Sequence, residues 1–104
     1  MTTITFEETK GYLEINVVGH SGYASAGSDI VCASISSVML LTYDLLTSFC
    51  KGVIFESKEK KPSMRMLVKS SEESKKIFYS LIWFLQRLEN DYPKYVKVKE
   101  IKWN

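Results

Sequence analysis

Residues 12–50 read YLEINVV, then GHSGYASAGSD, then IVCASISSVMLLTYDLLTSFC, and this stretch decides the fold. In residues 12–18, Leu13, Ile15 and Val17 alternate with other side chains at the period of a strand with one buried face. Residues 19–28 are mostly small and polar, which is typical of an exposed, flexible loop. The apolar residues that follow recur at helical spacing. The stretch therefore predicts a strand, a loop and a long helix in succession.

The predicted helix begins at Ser28 or Asp29, either of which can cap its first turn, and Gly52 ends it. Its core stripe is expected to be Val31, Ile35, Val38, Leu41, Leu45 and Phe49. The segment is apolar enough to raise the question of a membrane span, which needs about 20 predominantly apolar residues. Because Asp44 and six hydroxyl side chains interrupt it, we interpret it as a buried helix of a soluble protein with no membrane partner.

The rest of the chain adds four strands and a second helix. The strands are predicted at Thr3–Glu7, Val53–Lys58, Met64–Lys69 and Tyr95–Trp103, with hairpin turns at Lys10-Gly11 and Lys58–Pro62. The second helix is expected from the capping-box spacing of Ser70 and Glu73 to about Glu89. The order β-β-α-β-β-α-β predicts an α+β fold, a two-layer sandwich of helices on a mostly antiparallel sheet. We expect residues 1–104 to form a single domain.

The second helix has an apolar face that is wide for a single contact. It comprises Ile77, Phe78, Leu81, Ile82, Phe84, Leu85 and Leu88. One interpretation is a helix wedged between the sheet and the first helix, and the other is a homodimer surface.

Composition excludes several function classes. The chain is 45% hydrophobic and 25% charged, as in ordinary globular proteins, and its net charge of +2 predicts no direct binding of nucleic acid. Cys32 and Cys50 are 18 residues apart in one predicted helix, so about 27 Å would separate them, beyond the reach of a disulfide. Free thiols and the absence of an apolar signal segment at the N-terminus predict a cytoplasmic protein.

His20 is the sole histidine of the chain, so any imidazole chemistry belongs to this position. It follows the second strand, where the sheet ends and the loop begins. An imidazole titrates near neutral pH and suits general-base catalysis. Taken alone, a histidine at the end of a strand is more often incidental.

Cys32 falls in the first turn of the predicted helix, where unpaired N–H groups favour a thiolate and can hold an oxyanion. The alternative, a small buried core cysteine, is common and fits Cys50 well. Together, Cys32 and His20 form a candidate nucleophile and base. Asp29 is expected to cap the helix or orient His20, and Ser36 lies one turn after Cys32 on the same face.

Other chemistries have little support. His20, Cys32 and Cys50 cannot form a tetrahedral zinc site, and the glycines match no phosphate-binding fingerprint. We therefore expect neither a metal nor a cofactor. A thiol redox sensor is a weaker hypothesis, because Cys32 lacks a nearby resolving cysteine.

The sequence closely resembles the ribosomal-processing cysteine protease family, Prp. The resemblance rests on residues 19–24 (GHSGYA), 27–33 (GSDIVCA) and Ser36. It implies that His20 and Cys32 form a catalytic dyad, supported by Gly19, Asp29 and Ser36. It also implies a substrate loop that includes Ser21, Gly22, Tyr23 and Gly27. Ser34 stands where alanine is usual in the family, a difference expected to affect the loop more than the chemistry.

The family resemblance implies an activity and partners. Its members remove a short N-terminal extension from a precursor of large-subunit ribosomal protein number twenty-seven, and they are homodimers. Their substrates carry aromatic residues before the cut, so an apolar groove is expected, with Tyr23 and Tyr43 as candidate lining residues. The alternative is a non-catalytic, dimeric, ribosome-associated binding module, which would need the groove without a reactive thiol.

Overall fold

The computed structural model describes residues 1–25, 27–58 and 62–102. Its elements follow the order β-β-α-β-β-α-β, which confirms the predicted α+β fold. The strands are β1 (Thr2–Thr9), β2 (Tyr12–Val18), β3 (Val53–Lys58), β4 (Ser63–Lys69) and β5 (Val96–Glu100). The helices are α1 (Ile30–Phe49) and α2 (Glu72–Asp91).

The five strands form one sheet in the order β3-β4-β2-β1-β5. All neighbouring pairs are antiparallel except β1 and β5, which run parallel with Thr2 opposite Val96. The alternation predicted for β2 is confirmed, because Leu13, Ile15 and Val17 are all buried. These residues share one face of the sheet with the buried residues of β1 and β4, and both helices complete the core on that face. The sheet and the helix pair are therefore the two predicted layers.

The core stripe of α1 differs from the prediction in its second half. Val31 and Ile35 are buried as expected, whereas Leu41 is 58% exposed and Phe49 is 70% exposed. The buried positions there are Met39, Thr42 and Leu46. Because the segment is apolar on several faces, its spacing alone did not decide which face packs on the sheet.

Helix α2 starts one residue later and ends two residues later than predicted. Its capping box joins Ser71 and Ser74: each side chain accepts from the other residue's backbone N–H. Five of the seven predicted apolar positions are buried, and the helix contacts α1 and β5. This favours the wedged interpretation of α2 and leaves the homodimer as a prediction.

The predicted last strand and the predicted second hairpin turn both include residues that the structure does not describe. Strand β5 ends at Glu100, opposite Phe6, and the Ile101 amide donates one more bond to the Phe6 carbonyl. Trp103, the predicted end of that strand, lies outside the described residues. The hairpin pairs Lys58 with Ser63, and residues 59–61 of its predicted turn also lie outside them.

Within the part of the chain that the structure describes, α1 is the one helix whose length and apolar composition would allow it to cross a membrane. The mean hydropathy of its 18-residue window is 1.7. Length and composition of this kind also occur in the core helix of a soluble protein. Its buried side chains pack in the common core with the sheet and α2. The absence of a membrane partner remains a prediction.

Candidate active site

His20 and Cys32 line two adjoining cavities. His20 follows the end of β2, and Cys32 is the third residue of α1. One cavity, of about 270 Å³, lies toward β3 and β4, and we name it the strand-side cavity. The other, of about 460 Å³, is lined on the loop side by Gly22, Ala24 and Gly27, and we name it the loop-side cavity. His20, Cys32 and Ser36 line both cavities, so the structure brings these three predicted residues together.

Gly19 sets the direction in which the chain leaves β2 toward His20. Its φ is +91°, a backbone conformation that is strained for any residue other than glycine. A Cβ at this position would also lie 2.9 Å from the Met1 carbonyl oxygen. Its N–H donates to the Pro62 carbonyl at 2.9 Å, and its carbonyl accepts from Thr2 Oγ1 at 3.2 Å. These contacts fix the backbone of Gly19 between Met1, Thr2 and Pro62.

Asp29 is the N-cap of α1. Its Oδ1 accepts from the backbone amides of Val31 at 3.0 Å and Cys32 at 2.9 Å, and its own carbonyl accepts from Ala33. Of the roles considered from sequence, the structure places Asp29 in the capping one. The helix-start amides of Val31 and Cys32, which were expected to hold an oxyanion, are already bonded to this carboxylate.

The charge on Asp29 is well stabilised. Burial by itself raises the pKa of Asp29, but hydrogen bonds from the Ser21 hydroxyl and from the backbone of Cys32 and Ala24 outweigh it. Together they lower the pKa of Asp29 from 3.8 to about 2. The carboxylate is therefore ionised across the physiological range, beside the sulfur.

Ser21 joins the loop to both Asp29 and Cys32. Its backbone N–H donates to Cys32 Sγ at 3.3 Å, and its hydroxyl donates to Asp29 Oδ2. The same hydroxyl accepts from the Tyr23 amide at 3.2 Å. The side chain is only 2% exposed, although sequence placed Ser21 in a mobile substrate loop. Nothing in the sequence alone marked this serine as buried.

The other predicted loop residues lie on the surface. Gly22 and Gly27 line the loop-side cavity. Tyr23 instead packs edge-on against Tyr92 and Tyr95, with ring centroids 5.5 and 5.3 Å away. The loop is thus fixed to the connection between α2 and β5 by an aromatic cluster.

The apolar lining of the strand-side cavity comes from residues that the sequence analysis assigned to the core, a turn or a strand and not to a substrate groove. Val17, Ile35, Pro62 and Met64 supply most of its apolar side chains, and Lys58 adds a charge at its edge. Tyr43 lies elsewhere, tilted against Phe55. Neither Tyr23 nor Tyr43 lines either cavity. The lining depends on β4 pairing with β2, which the sequence did not specify.

The two cysteines differ in surroundings. Both are free, half-buried thiols at opposite ends of α1, in agreement with the geometric argument against a disulfide. Cys50 caps the C-terminal end and packs against the core. Within residues 1–25, 27–58 and 62–102, no three His, Cys, Asp or Glu side chains are grouped to hold a metal ion.

The family model described as cysteine protease Prp matches residues 1–97. The chain belongs to the Prp family. As a member of this family it is a cysteine protease, a hydrolase, and the resemblance stated from the sequence motif is confirmed. A comparison with curated proteins gave no match.

Solved structures share the fold over nearly the whole chain. The ribosomal processing protease Prp from S. aureus, bound to a covalently linked product peptide, is 18% identical with a TM-score of 0.86, covering 97% of this chain and 100% of that one. The same protease with a substrate peptide is 17% identical with a TM-score of 0.77 and the same coverage. SMU.848 from Streptococcus mutans is 25% identical with a TM-score of 0.79, covering 97% and 94%.

Proposed function

We propose that this Prp-family chain is an endopeptidase in which Cys32 is the nucleophile and His20 the general base. The observation that carries the proposal is that both side chains line the same two cavities, at the start of α1 and the end of β2. Gly19, Asp29 and Ser36 support the site, by backbone conformation, by capping and by lining it. Residues 1–104 act as one domain in this proposal.

The reaction is an acyl transfer to water. His20 accepts the Cys32 proton, and the thiolate attacks the scissile carbonyl carbon to give a tetrahedral intermediate. His20 returns the proton to the leaving amine as the carbon–nitrogen bond breaks, leaving a thioester on Cys32. Water, deprotonated by His20, then releases the carboxylic acid and restores the thiol.

The proposed substrate is the precursor of large-subunit ribosomal protein number twenty-seven, whose short N-terminal extension would be removed. The apolar strand-side cavity supports a preference for apolar or aromatic side chains beside the cut. The S. aureus relative is described with substrate and product peptides, which supports a peptide substrate of the same class. A cytoplasmic location is part of this proposal, because the proposed substrate is a ribosomal protein.

We also propose a homodimer. Helix α1 leaves Leu40, Leu41 and Phe49 more than half exposed, and exposed apolar side chains of this kind can form an interface with a second copy of the chain. Sedimentation equilibrium measures the mass directly. A monomer at micromolar concentration contradicts this part of the proposal and leaves the catalytic part untouched.

The activity is tested by incubating the wild-type chain, a Cys32→Ala variant and a Cys50→Ala variant with the precursor and measuring product masses. Loss of an N-terminal peptide is expected with the wild type and with Cys50→Ala, and not with Cys32→Ala. Cys50→Ala is the matched control, because it removes a half-buried thiol from the far end of the same helix. Inactive but folded Cys50→Ala protein would contradict the assignment of Cys32.

Alkylation with iodoacetamide separates an enzyme from a non-catalytic binding module. A reactive thiolate at Cys32 should be modified at least about tenfold faster than Cys50 near neutral pH, and His20→Ala should slow it. Equal and slow modification of both cysteines would favour the binding module.

A further inference from the structure

Three hydrogen bonds close a ring through Ser21, Asp29 and Cys32. The Ser21 N–H donates to Cys32 Sγ, the Cys32 N–H donates to Asp29 Oδ1, and Asp29 Oδ2 accepts from the Ser21 hydroxyl. The ring therefore joins the residue after His20 to the thiol and to the helix cap at once. The backbone and the side chain of Ser21 both take part.

We propose that Ser21 is a positioning residue of the protease. Its hydroxyl, held by Asp29, aims its own N–H at the Cys32 sulfur and fixes the adjacent His20 relative to the nucleophile. The inference rests on the proposed function, because it assigns Ser21 a role in the chemistry of Cys32 and His20.

The burial of Ser21 explains why its hydroxyl is effective. At 2% exposure the hydroxyl has little water to bond, so its partners within the protein fix its orientation. It donates to a carboxylate and accepts from the Tyr23 amide, which uses its one hydrogen and one lone pair. In a loop composed of small residues, few other contacts would hold the backbone in place.

In the hydrogen bond between Ser21 and Cys32, the backbone N–H is the donor and the sulfur is the acceptor. Donation of an N–H to a thiolate is charge-assisted, whereas donation to a neutral thiol is weak. The Ser21 amide thus favours the nucleophilic form of Cys32. The Asp29 carboxylate, which accepts from the Cys32 amide, opposes that form by its charge.

The alanine variant Ser21→Ala isolates this role, because it removes the hydroxyl and keeps the N–H. We expect kcat for the precursor to fall about tenfold with KM changed by less than about twofold, since bound substrate would meet a misplaced dyad. The rate of alkylation of Cys32 relative to Cys50 should fall in the same variant. The matched control is Ser34→Ala, which removes a hydroxyl that donates to the Ile30 carbonyl within α1.

A second variant, Asp29→Asn, tests the same bond from the other side. If Ser21 acts through Asp29, the losses in kcat from Ser21→Ala and Asp29→Asn are not additive in the double variant. If Ser21→Ala does not fold, Asp29→Asn alone still tests the inference, because it keeps a helix cap and changes the group that accepts from the Ser21 hydroxyl. Its kcat for the precursor should fall with little change in KM, and a wild-type kcat would overturn the inference.

Two further results overturn the inference. One is a Ser21→Ala protein with wild-type kcat and a wild-type alkylation ratio, and the other is full additivity of the two losses. If the wild-type chain does not cleave the precursor, the proposed function fails, while the alkylation ratio still reports on Ser21 separately.

Discussion

Removal of the Asp29 carboxylate should destabilise the protein by an amount that the structure specifies. In an Asp29→Ala variant the Val31 and Cys32 amides and the Ser21 hydroxyl lose their acceptor. Loss of an N-cap lowers the free energy of unfolding by about 0.5–2 kcal/mol. Because three donors are left without their acceptor, we expect a loss in the upper half of this range, about 1–2 kcal/mol. For a domain of this size each kcal/mol corresponds to a fall in melting temperature of about 4–8 °C.

The matched variant is Asp29→Asn. Asparagine caps helices about as well as aspartate, because its amide oxygen accepts from the same first-turn amides. The Asn variant should therefore keep most of the stability that the Ala variant loses. Urea unfolding followed by circular dichroism measures both free energies. An Asp29→Ala protein as stable as the wild type would refute the capping role.

The loss should also depend on pH with a defined sign. The pKa of Asp29 is about 2 in the folded state and near its ordinary 3.8 in the unfolded state. Stabilisation by the carboxylate is therefore complete above about pH 4 and is lost as pH falls toward about 2. The difference in unfolding free energy between wild type and Asp29→Ala should be full at about pH 6 and smaller at about pH 3. A difference that stays constant over this range would contradict the assigned ionisation.

Three further substitutions test the framework of the site. Gly19→Ala should strain the turn into His20 and reduce catalytic rate more than Gly22→Ala, whose added Cβ meets nothing within 4 Å; equal rates would contradict the close approach of Gly19 to the Met1 carbonyl, just before β1. Leu85→Ala removes a fully buried side chain and should cost about 2–5 kcal/mol in urea unfolding; a cost below about 1 kcal/mol would contradict its place in the core. Tyr23→Ala should speed amide hydrogen exchange in the loop and leave α1 unchanged; protection equal to wild type would argue against the aromatic contact with Tyr92.

The fold could be predicted from sequence where one face of an element is apolar and the other polar. Leu13, Ile15 and Val17 made β2 unambiguous, and the order of elements followed from similar patterns. In α1, by contrast, Leu41 and Leu45 are as apolar as the buried Met39 and Leu46, so the pattern did not reveal the packed face. The parallel pairing of β5 with β1 depends on long-range contacts that no local spacing encodes.

In the candidate site, too, the features that depend on local sequence were predictable and those that depend on long-range contacts were not. Helix capping is local, so the placement of Asp29 just before an apolar run predicted its main role. The burial of Ser21 and the cavity lining by Met64 and Val17 arise from tertiary contacts across the sheet and loop. They were therefore beyond reach of a single sequence.

The ring through Ser21, Asp29 and Cys32 has a consequence for change over evolution. It anchors both ends of the segment between residues 21 and 29, so the bonds that join the thiol to the helix cap come from the ends of this segment. Lengthening such a loop by a few residues costs little closure entropy. Insertions there should be tolerated and offer a route to new cleavage preferences with the reactive pair left in place.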